Sequence, residues 1–183
     1  MIKLEAPLKT DEIRELKIGD QIALSGVIYT ARDAAHQKLV DLLKAGKNLP
    51  FDPEGSVIFY VGPSPAKPDQ VIGAAGPTTS YRMDPFVTDL LQAGMKGMIG
   101  KGPRSQEVRD GLQKHIGVYF GATGGAAALL SKSIVKAEVI AFDELGPEAV
   151  RRLEIKDMPL IVVNDCHGGD LYEKGVEDFK IEQ

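Results

Sequence analysis

Three cations in this sequence stand among small residues, where a side chain could close on an anion. They are Arg32 in Thr30-Ala-Arg-Asp-Ala-Ala-His36, Arg82 in Gly73-Ala-Ala-Gly-Pro-Thr-Thr-Ser-Tyr-Arg-Met83, and Lys101 in Ile99-Gly-Lys-Gly102. A guanidinium grips a carboxylate through two parallel hydrogen bonds, and a lysine supplies a compact point charge. Arg32 falls in the first turn of an expected helix, where the macrodipole disfavours a cation, so an incoming carboxylate would account for it; pairing with Asp33 or another local acid is the alternative. The second segment is the densest polar cluster in the chain. Gly76 lets a ligand approach the backbone, Thr78, Thr79 and Ser80 present three successive hydroxyls, and Arg82 follows. Together they could cradle an oxyanion, although Thr79 or Ser80 could equally cap a helix. Lys101, between two glycines, can reach into a site or be a plain turn lysine, and its setting lacks the P-loop spacing. His36, four residues after Arg32, is either an acid/base candidate or a packed, hydrogen-bonded histidine. If the fold gathers Arg32, Arg82 and Lys101, they suit a small dianion or dicarboxylate.

The elements that must carry these residues alternate. Residues 20–29 read as a strand, followed by a helix that starts near Thr30, with Thr30 as cap and Asp33 as the acidic partner of a capping box, and stops at Gly46. Residues 56–61 read as a buried strand. The prolines of residues 62–69 forbid regular structure there. Val71-Ile72-Gly73 reads as a short strand, and Asp84-Pro85 as the cap and first position of a helix ending at Gly94. Met95–Ile99 is a strand, Ser105 caps a helix reaching His115, and Val118–Phe120 is another strand. A small-residue helix is expected over Gly124–Ser131, strands over Val135–Phe142 and Pro159–Asn164, and a short helix after Pro147. The interleaving argues an α/β fold with one domain over residues 1–183, and a mixed sheet or two packed sheets fit the long proline loop as well as a doubly wound parallel sheet does. The four loops with glycine beside a cation or hydroxyl sit where strands end and helices begin, the usual place for ligands in such folds.

Composition narrows the function classes. Lys and Arg number 22 against 26 Asp and Glu, a formal net charge of −4 that is a poor match for a nucleic-acid backbone; aromatics are only 6% and tryptophan is absent, so no stacking platform for bases is evident. No apolar run is long enough to cross a bilayer, and the first residues lack the apolar segment of a signal peptide, which points to a cytoplasmic protein without membrane contact. The chain has three histidines and one cysteine, Cys166, next to His167. No Cys-x-x-Cys or His-x-x-x-His occurs, so no metal site is expected from this chain, and the three or four thiolates of an iron–sulfur cluster are not available in it. Phe120-Gly-Ala-Thr-Gly-Gly125 lacks the dinucleotide spacing and reads as close helix packing.

Three stretches in order, Ser25-Gly-Val-Ile-Tyr-Thr-Ala-Arg-Asp-Ala-Ala-His36, Gly76-Pro-Thr-Thr-Ser-Tyr-Arg-Met83 and Ile99-Gly-Lys-Gly102, resemble the iron–sulfur hydro-lyase family. The likeness is to the β subunit of two-subunit class I fumarate hydratase or tartrate dehydratase, and to the C-terminal domain of the single-chain class I fumarases. It extends over nearly the whole chain, including Gly121–Leu130 and Asp165–Tyr172. The Gly-Pro-Thr-Thr-…-Arg-Met motif is the specific one. The resemblance implies a swivelling β/β/α domain and a partner α subunit that carries a [4Fe–4S] cluster, with none held by this chain. It also implies reversible hydration of fumarate to (S)-malate. Arg32, Gly76, Thr79, Arg82 and Lys101 would bind the dicarboxylate, Thr78 would transfer a proton, and His36 would be a second acid/base candidate. Further copies of the β subunit are another implied partner. Two other readings stay open: an L-tartrate dehydratase β subunit, and a non-catalytic dicarboxylate-binding module.

Overall fold

The computed structural model describes residues 1–122 and 127–180. Two long strands organise it. β2 (Gln21–Thr30) and β7 (Val150–Asn164) run antiparallel from Gln21 opposite Ile161 to Thr30 opposite Arg151. The other edge of β2 is shared. Its first half takes β1 (Ile2–Ala6) and its last residues take β3 (Val57–Phe59), both parallel to it. The other edge of β7 is divided likewise, between β6 (Ile134–Ala141) and β5 (Val118–Gly121), both antiparallel. β4 (Gly97–Gly100) joins β3 to β5 by parallel pairing. The strands β2-β3-β4-β5-β7 thus close into a five-stranded ring, and β1 and β6 lie outside it. The fold is mixed α/β with a mixed sheet.

Three helices cover one side of the ring. They are α2 (Asp33–Lys44), α3 (Asp84–Gln92) and α4 (Gln106–His115). Three more are α1 (Thr10–Arg14), α5 (Ala127–Lys132) and α6 (Leu171–Phe179). None of the described helices is long and apolar enough to cross a membrane.

Strand alternation sorts the core into two layers. Ile22, Leu24, Ile28, Val57, Phe59, Ile99, Val118, Phe120, Leu153 and Val162 form one cluster from all five ring strands. Their neighbours Ile58, Met98 and Tyr119 turn the other way, onto Leu39, Val87, Leu90, Leu91, Val108 and Leu112 of the helices. The short strands between are apolar at every position because both of their faces are covered.

Several sequence expectations are corrected. Thr30 does not cap α2. Its hydroxyl donates to the Ala149 carbonyl (3.2 Å) and accepts from Arg151 N–H (3.0 Å), which ties β2 to β7. Arg32 stands at the N-cap without a side-chain bond, so no capping box forms. Val71–Gly73 is not a strand, since the backbone there turns back on Ser64, whose hydroxyl accepts from Ala74 N–H (2.9 Å). Asp84 is the first residue of α3 and not its cap, which is Met83. The helical turn near Pro147 is a 3₁₀ segment, Asp143–Glu148, that precedes the strand β7 and contains the proline. Ser105 does cap α4, by accepting from Val108 N–H (3.3 Å). The first residues of the helix expected over Gly124–Ser131 lie outside the described residues.

Candidate active site

Three of the parallel strands end side by side, and the chain pins their continuations together. Ala31 N–H donates to the Phe59 carbonyl (3.3 Å), and Tyr60 N–H to that of Ile99 (2.9 Å). The Gly76–Ser80 segment then lies along this rim. Thr78 N–H donates to the Tyr60 carbonyl (2.7 Å), and Thr79 forms a parallel bridge with Lys101. Ser80 N–H donates to the Lys101 carbonyl (2.9 Å), and Lys101 N–H to Ser80 Oγ (3.1 Å). The fold therefore places Arg32, Gly76, Thr78, Thr79, Arg82 and Lys101 along one row of strand ends, although they span seventy residues of sequence. Neither Thr78 nor Thr79 uses its hydroxyl in a hydrogen bond among the described residues, and Thr79 does not cap the 3₁₀ turn Ser80–Met83 that follows it.

Both arginines are held by acids. Arg82 Nε donates to Asp33 Oδ1 at 2.9 Å, so the residue expected beside Arg32 serves Arg82 instead. Arg32 faces Glu148, 3.6 Å away, and the other oxygen of Glu148 accepts from Ala34 N–H (3.1 Å) in the first turn of α2. The acid thus neutralises the unfavourable cation and engages the helix terminus at once. Arg32 crosses over Gly62, where any side chain would come within 2.8 Å of its guanidinium. An Nε contact leaves the two terminal nitrogens of Arg82 for a second carboxylate. Lys101 is exposed and has no ion-pair partner among the described residues.

His36 lies behind this rim, fully buried. Its Nδ1 donates to the Arg32 carbonyl (2.9 Å), and its ring packs edge-on against Tyr60 at 5.2 Å. Burial pushes its pKa down to about 4; the Arg104 charge adds to this, while the bond to the Arg32 carbonyl and Asp33 oppose it. The imidazole is therefore neutral at pH 7, with its Nδ1 tied to the backbone at Arg32. A sign follows for stability. The unfolded chain binds the proton below its ordinary pKa of about 6.5 and the folded chain does so only near 4. The stabilisation is complete above about pH 6.5 and is lost as pH falls, by about 2–3 kcal/mol at pH 4.5. Urea unfolding at pH 7 and 4.5 should show a smaller acid loss in His36→Gln than in the parent chain; equal losses would refute this account.

Sequence reasoning missed the layer that supports the rim. Arg104 has a side chain with 0% exposure, and its Nε donates to Asp84 Oδ1 at 2.7 Å. The second Asp84 oxygen accepts from Ser105 N–H (2.8 Å). The guanidinium lies over the rings of Tyr119 (4.8 Å) and Tyr60 (5.3 Å). Tyr119 and Tyr60 come from β5 and the end of β3 and look like ordinary core aromatics in the sequence. Only the odd placement of an arginine directly before the Ser105 cap hints at a buried role. Tyr172 of α6 also reaches the rim and accepts from Gly102 N–H (3.0 Å).

The chain's own residues do not fit an iron–sulfur cluster. Among the described residues no three His, Cys, Asp or Glu side chains gather as a ligand set. Cys166 sits half-buried beside the Ile13 carbonyl and the His167 ring, in the loop after β7. The rim thus sets Arg32, Arg82 and Lys101 near the Thr78 and Thr79 hydroxyls, which make no hydrogen bond among the described residues.

Comparison with known proteins identifies the family. A family model described as "Fumarase C-terminus" matches residues 1–175. The anaerobic class I fumarate hydratase of Escherichia coli is 38% identical over 178 residues, which is 94% of this chain but 32% of that protein. Fumarate hydratase 2 of Leishmania major is likewise 38% identical, over 94% of this chain and 32% of its own length. The chain thus spans about a third of these relatives. A Methanocaldococcus jannaschii protein provisionally named L(+)-tartrate dehydratase subunit beta is 40% identical over 91% of this chain and 89% of its own. With nearly the whole sequence matched, the chain belongs to the fumarase C-terminus family.

Proposed function

We propose that this chain is the β subunit of a hydro-lyase that interconverts fumarate and (S)-malate, with the [4Fe–4S] cluster on a separate α subunit. The observation that carries this reading is the backbone pairing of Thr79 and Ser80 with Lys101, beside which lie the Thr78 and Thr79 hydroxyls, Arg82 and Arg32. Two carboxylates of one small substrate need at least two cationic holds, and this rim supplies three. Gly76 and Thr79 complete the cradle around them.

Removal of a proton from the carbon next to a carboxylate moves negative charge onto that carboxylate. Arg82 and Lys101, poised on it before the reaction, would stabilise that charge as it grows. Thr78 would pass the proton at that carbon. A threonine hydroxyl is a very weak base, so it needs a stronger base beside it, supplied from the partner subunit. His36, neutral and enclosed, holds the Arg32 backbone and is assigned positioning here, not proton transfer. The departing hydroxyl belongs to the partner's side of the site.

A relative of matching length is named for tartrate, and this favours a second reading in which the substrate is L-tartrate. The two substrates differ by a hydroxyl, which a single polar contact can discriminate strongly. One assay tests both. The chain is combined anaerobically with a cluster-bearing partner, and loss of the fumarate double bond is followed by ultraviolet absorbance, with tartrate turnover measured in parallel. Activity is expected only in the mixture. A stable complex with an intact cluster that converts neither diacid would overturn the proposal.

A further inference from the structure

Ser80 sits at the centre of the rim, yet its side chain turns inward. It is fully buried, as is Tyr119 on β5. Lys101 N–H donates to Ser80 Oγ (3.1 Å), Ser80 Oγ lies 2.9 Å from Tyr119 Oη, and Tyr119 Oη–H donates to the Gly102 carbonyl (3.0 Å). The direction of every bond in this chain is fixed. An amide N–H can only donate and a carbonyl can only accept. The single phenolic proton goes to Gly102, so the Ser80 proton must go to Tyr119. The path leaves the backbone at Lys101 and returns to it at the next residue, and such a directed chain polarises each of its members. Ser80 N–H adds a fourth bond, to the Lys101 carbonyl (2.9 Å). The fit is close enough that any side chain at Gly100 would collide with Ser80 Oγ. Arg104, stacked on the Tyr119 ring, holds that ring in place.

We infer that Ser80 and Tyr119 are positioning residues that set the spacing between Lys101 and the Thr78–Arg82 segment, and thereby the affinity for a dicarboxylate. The inference rests on the reading that Lys101 and Arg82 share one diacid. It concerns residues that touch no substrate, since both hydroxyls are used up in the chain. A loosened Lys101 loop would still carry its charge but would no longer hold it at a set distance from Arg82. Once the diacid is bound, the retained charge can still follow the negative charge as it grows, so the loss should appear in binding, as a higher KM, more than in kcat.

The test compares the parent, Tyr119→Phe, Ser80→Ala, the double variant and Lys101→Ala in the active assembly. Steady-state kinetics, melting temperature and amide hydrogen exchange at Lys101 and Gly102 are measured for each. Tyr119→Phe keeps the ring on Arg104 and is expected to raise KM about 10-fold, to change kcat by less than about threefold, and to speed exchange at Lys101. The double variant should lose no more than Ser80→Ala alone, because both residues act through one chain. A structural role only would lower the melting temperature and leave KM as it was, which would overturn the inference. If Lys101→Ala is impaired while Tyr119→Phe and Ser80→Ala keep the parent KM and exchange rates, the inference falls and the functional reading stands. If Lys101→Ala keeps the parent kcat/KM, the reading of Lys101 falls and the inference falls with it.

Discussion

Arg82→Ala is expected to lower kcat/KM for the diacid about 1000-fold in the assembled enzyme, about 4 kcal/mol of lost transition-state stabilisation, with little change in melting temperature. The two effects separate because of where Arg82 lies. Its pair with Asp33 is partly open to solvent, with side-chain exposures of 44% and 32%, and such a pair is worth at most about 1 kcal/mol to the fold. Its terminal nitrogens, by contrast, are the group a carboxylate would meet, and the interaction grows as charge develops on that carboxylate. Lys101→Ala should behave alike, with even less effect on stability, since the lysine has no ion-pair partner among the described residues. Arg82→Lys should restore little, because an ammonium cannot make the two parallel bonds. Near-normal kcat/KM in Arg82→Ala and Lys101→Ala, in a complex that assembles normally, would refute the assignment of this rim as the carboxylate site.

Asp84→Asn should have its main effect on stability. Arg104 has no exposed side-chain surface and its charge is matched by Asp84, itself only 11% exposed. Removing one partner of a buried pair strands the other charge, at a cost of about 3–5 kcal/mol. At about 2–4 °C per kcal/mol for a chain of this size, the melting temperature should fall by on the order of 10 °C. The cost exceeds that of losing the Arg82–Asp33 pair because water cannot reach the guanidinium left behind. A thermal scan of the purified chain measures it directly, and a shift under about 2 °C would show that the pair contributes little. Asp84 also accepts from Ser105 N–H, so part of the loss would come from the start of α4.

The parts of this fold that sequence exposes are those with a repeating apolar signal. β2, α2, α3 and α4 show it, and the Ser105 cap and the stops at Gly46 and Gly94 mark their ends. β1 and the first half of β7 do not. In Val150–Asp157 the charged pairs Arg151-Arg152 and Lys156-Asp157 interrupt the alternation, the chain bends at Asp157, where φ is +48°, and Pro159 follows inside the strand. A proline and a left-handed aspartate argue against a strand locally, and only the pairing with β2 overrides them. Thr30 shows the opposite error. A threonine before a helix is a sound cap by type, but the strand β7 claims its hydroxyl first. The rim positions were legible because glycines, hydroxyls and a cation cluster there at points where a strand gives way to a helix. Their supports were not, because Tyr60, Tyr119 and Arg104 acquire their roles from the ring, which brings residues 60, 104 and 119 to one place. The roles of Glu148 and Asp33 were hidden for the same reason, as each acid serves a cation that lies far off in sequence or was not its expected partner.

Closure of the strand ring has a consequence for biosynthesis. β2 leaves the ribosome well before β7, the strand that pairs along its whole length. The bond from Arg151 N–H to Thr30 spans 121 residues, and that from Asp157 N–H to Ser25 spans 132. Until β7 emerges, one edge of β2 has no native partner and the apolar interior of the ring stands open at that seam. Contacts of such range make folding slow and leave strand edges exposed to other nascent chains. Yield of native protein should therefore depend on synthesis temperature and chaperone supply more steeply than its final stability would suggest, and truncation before Val150 would leave a sheet that cannot close.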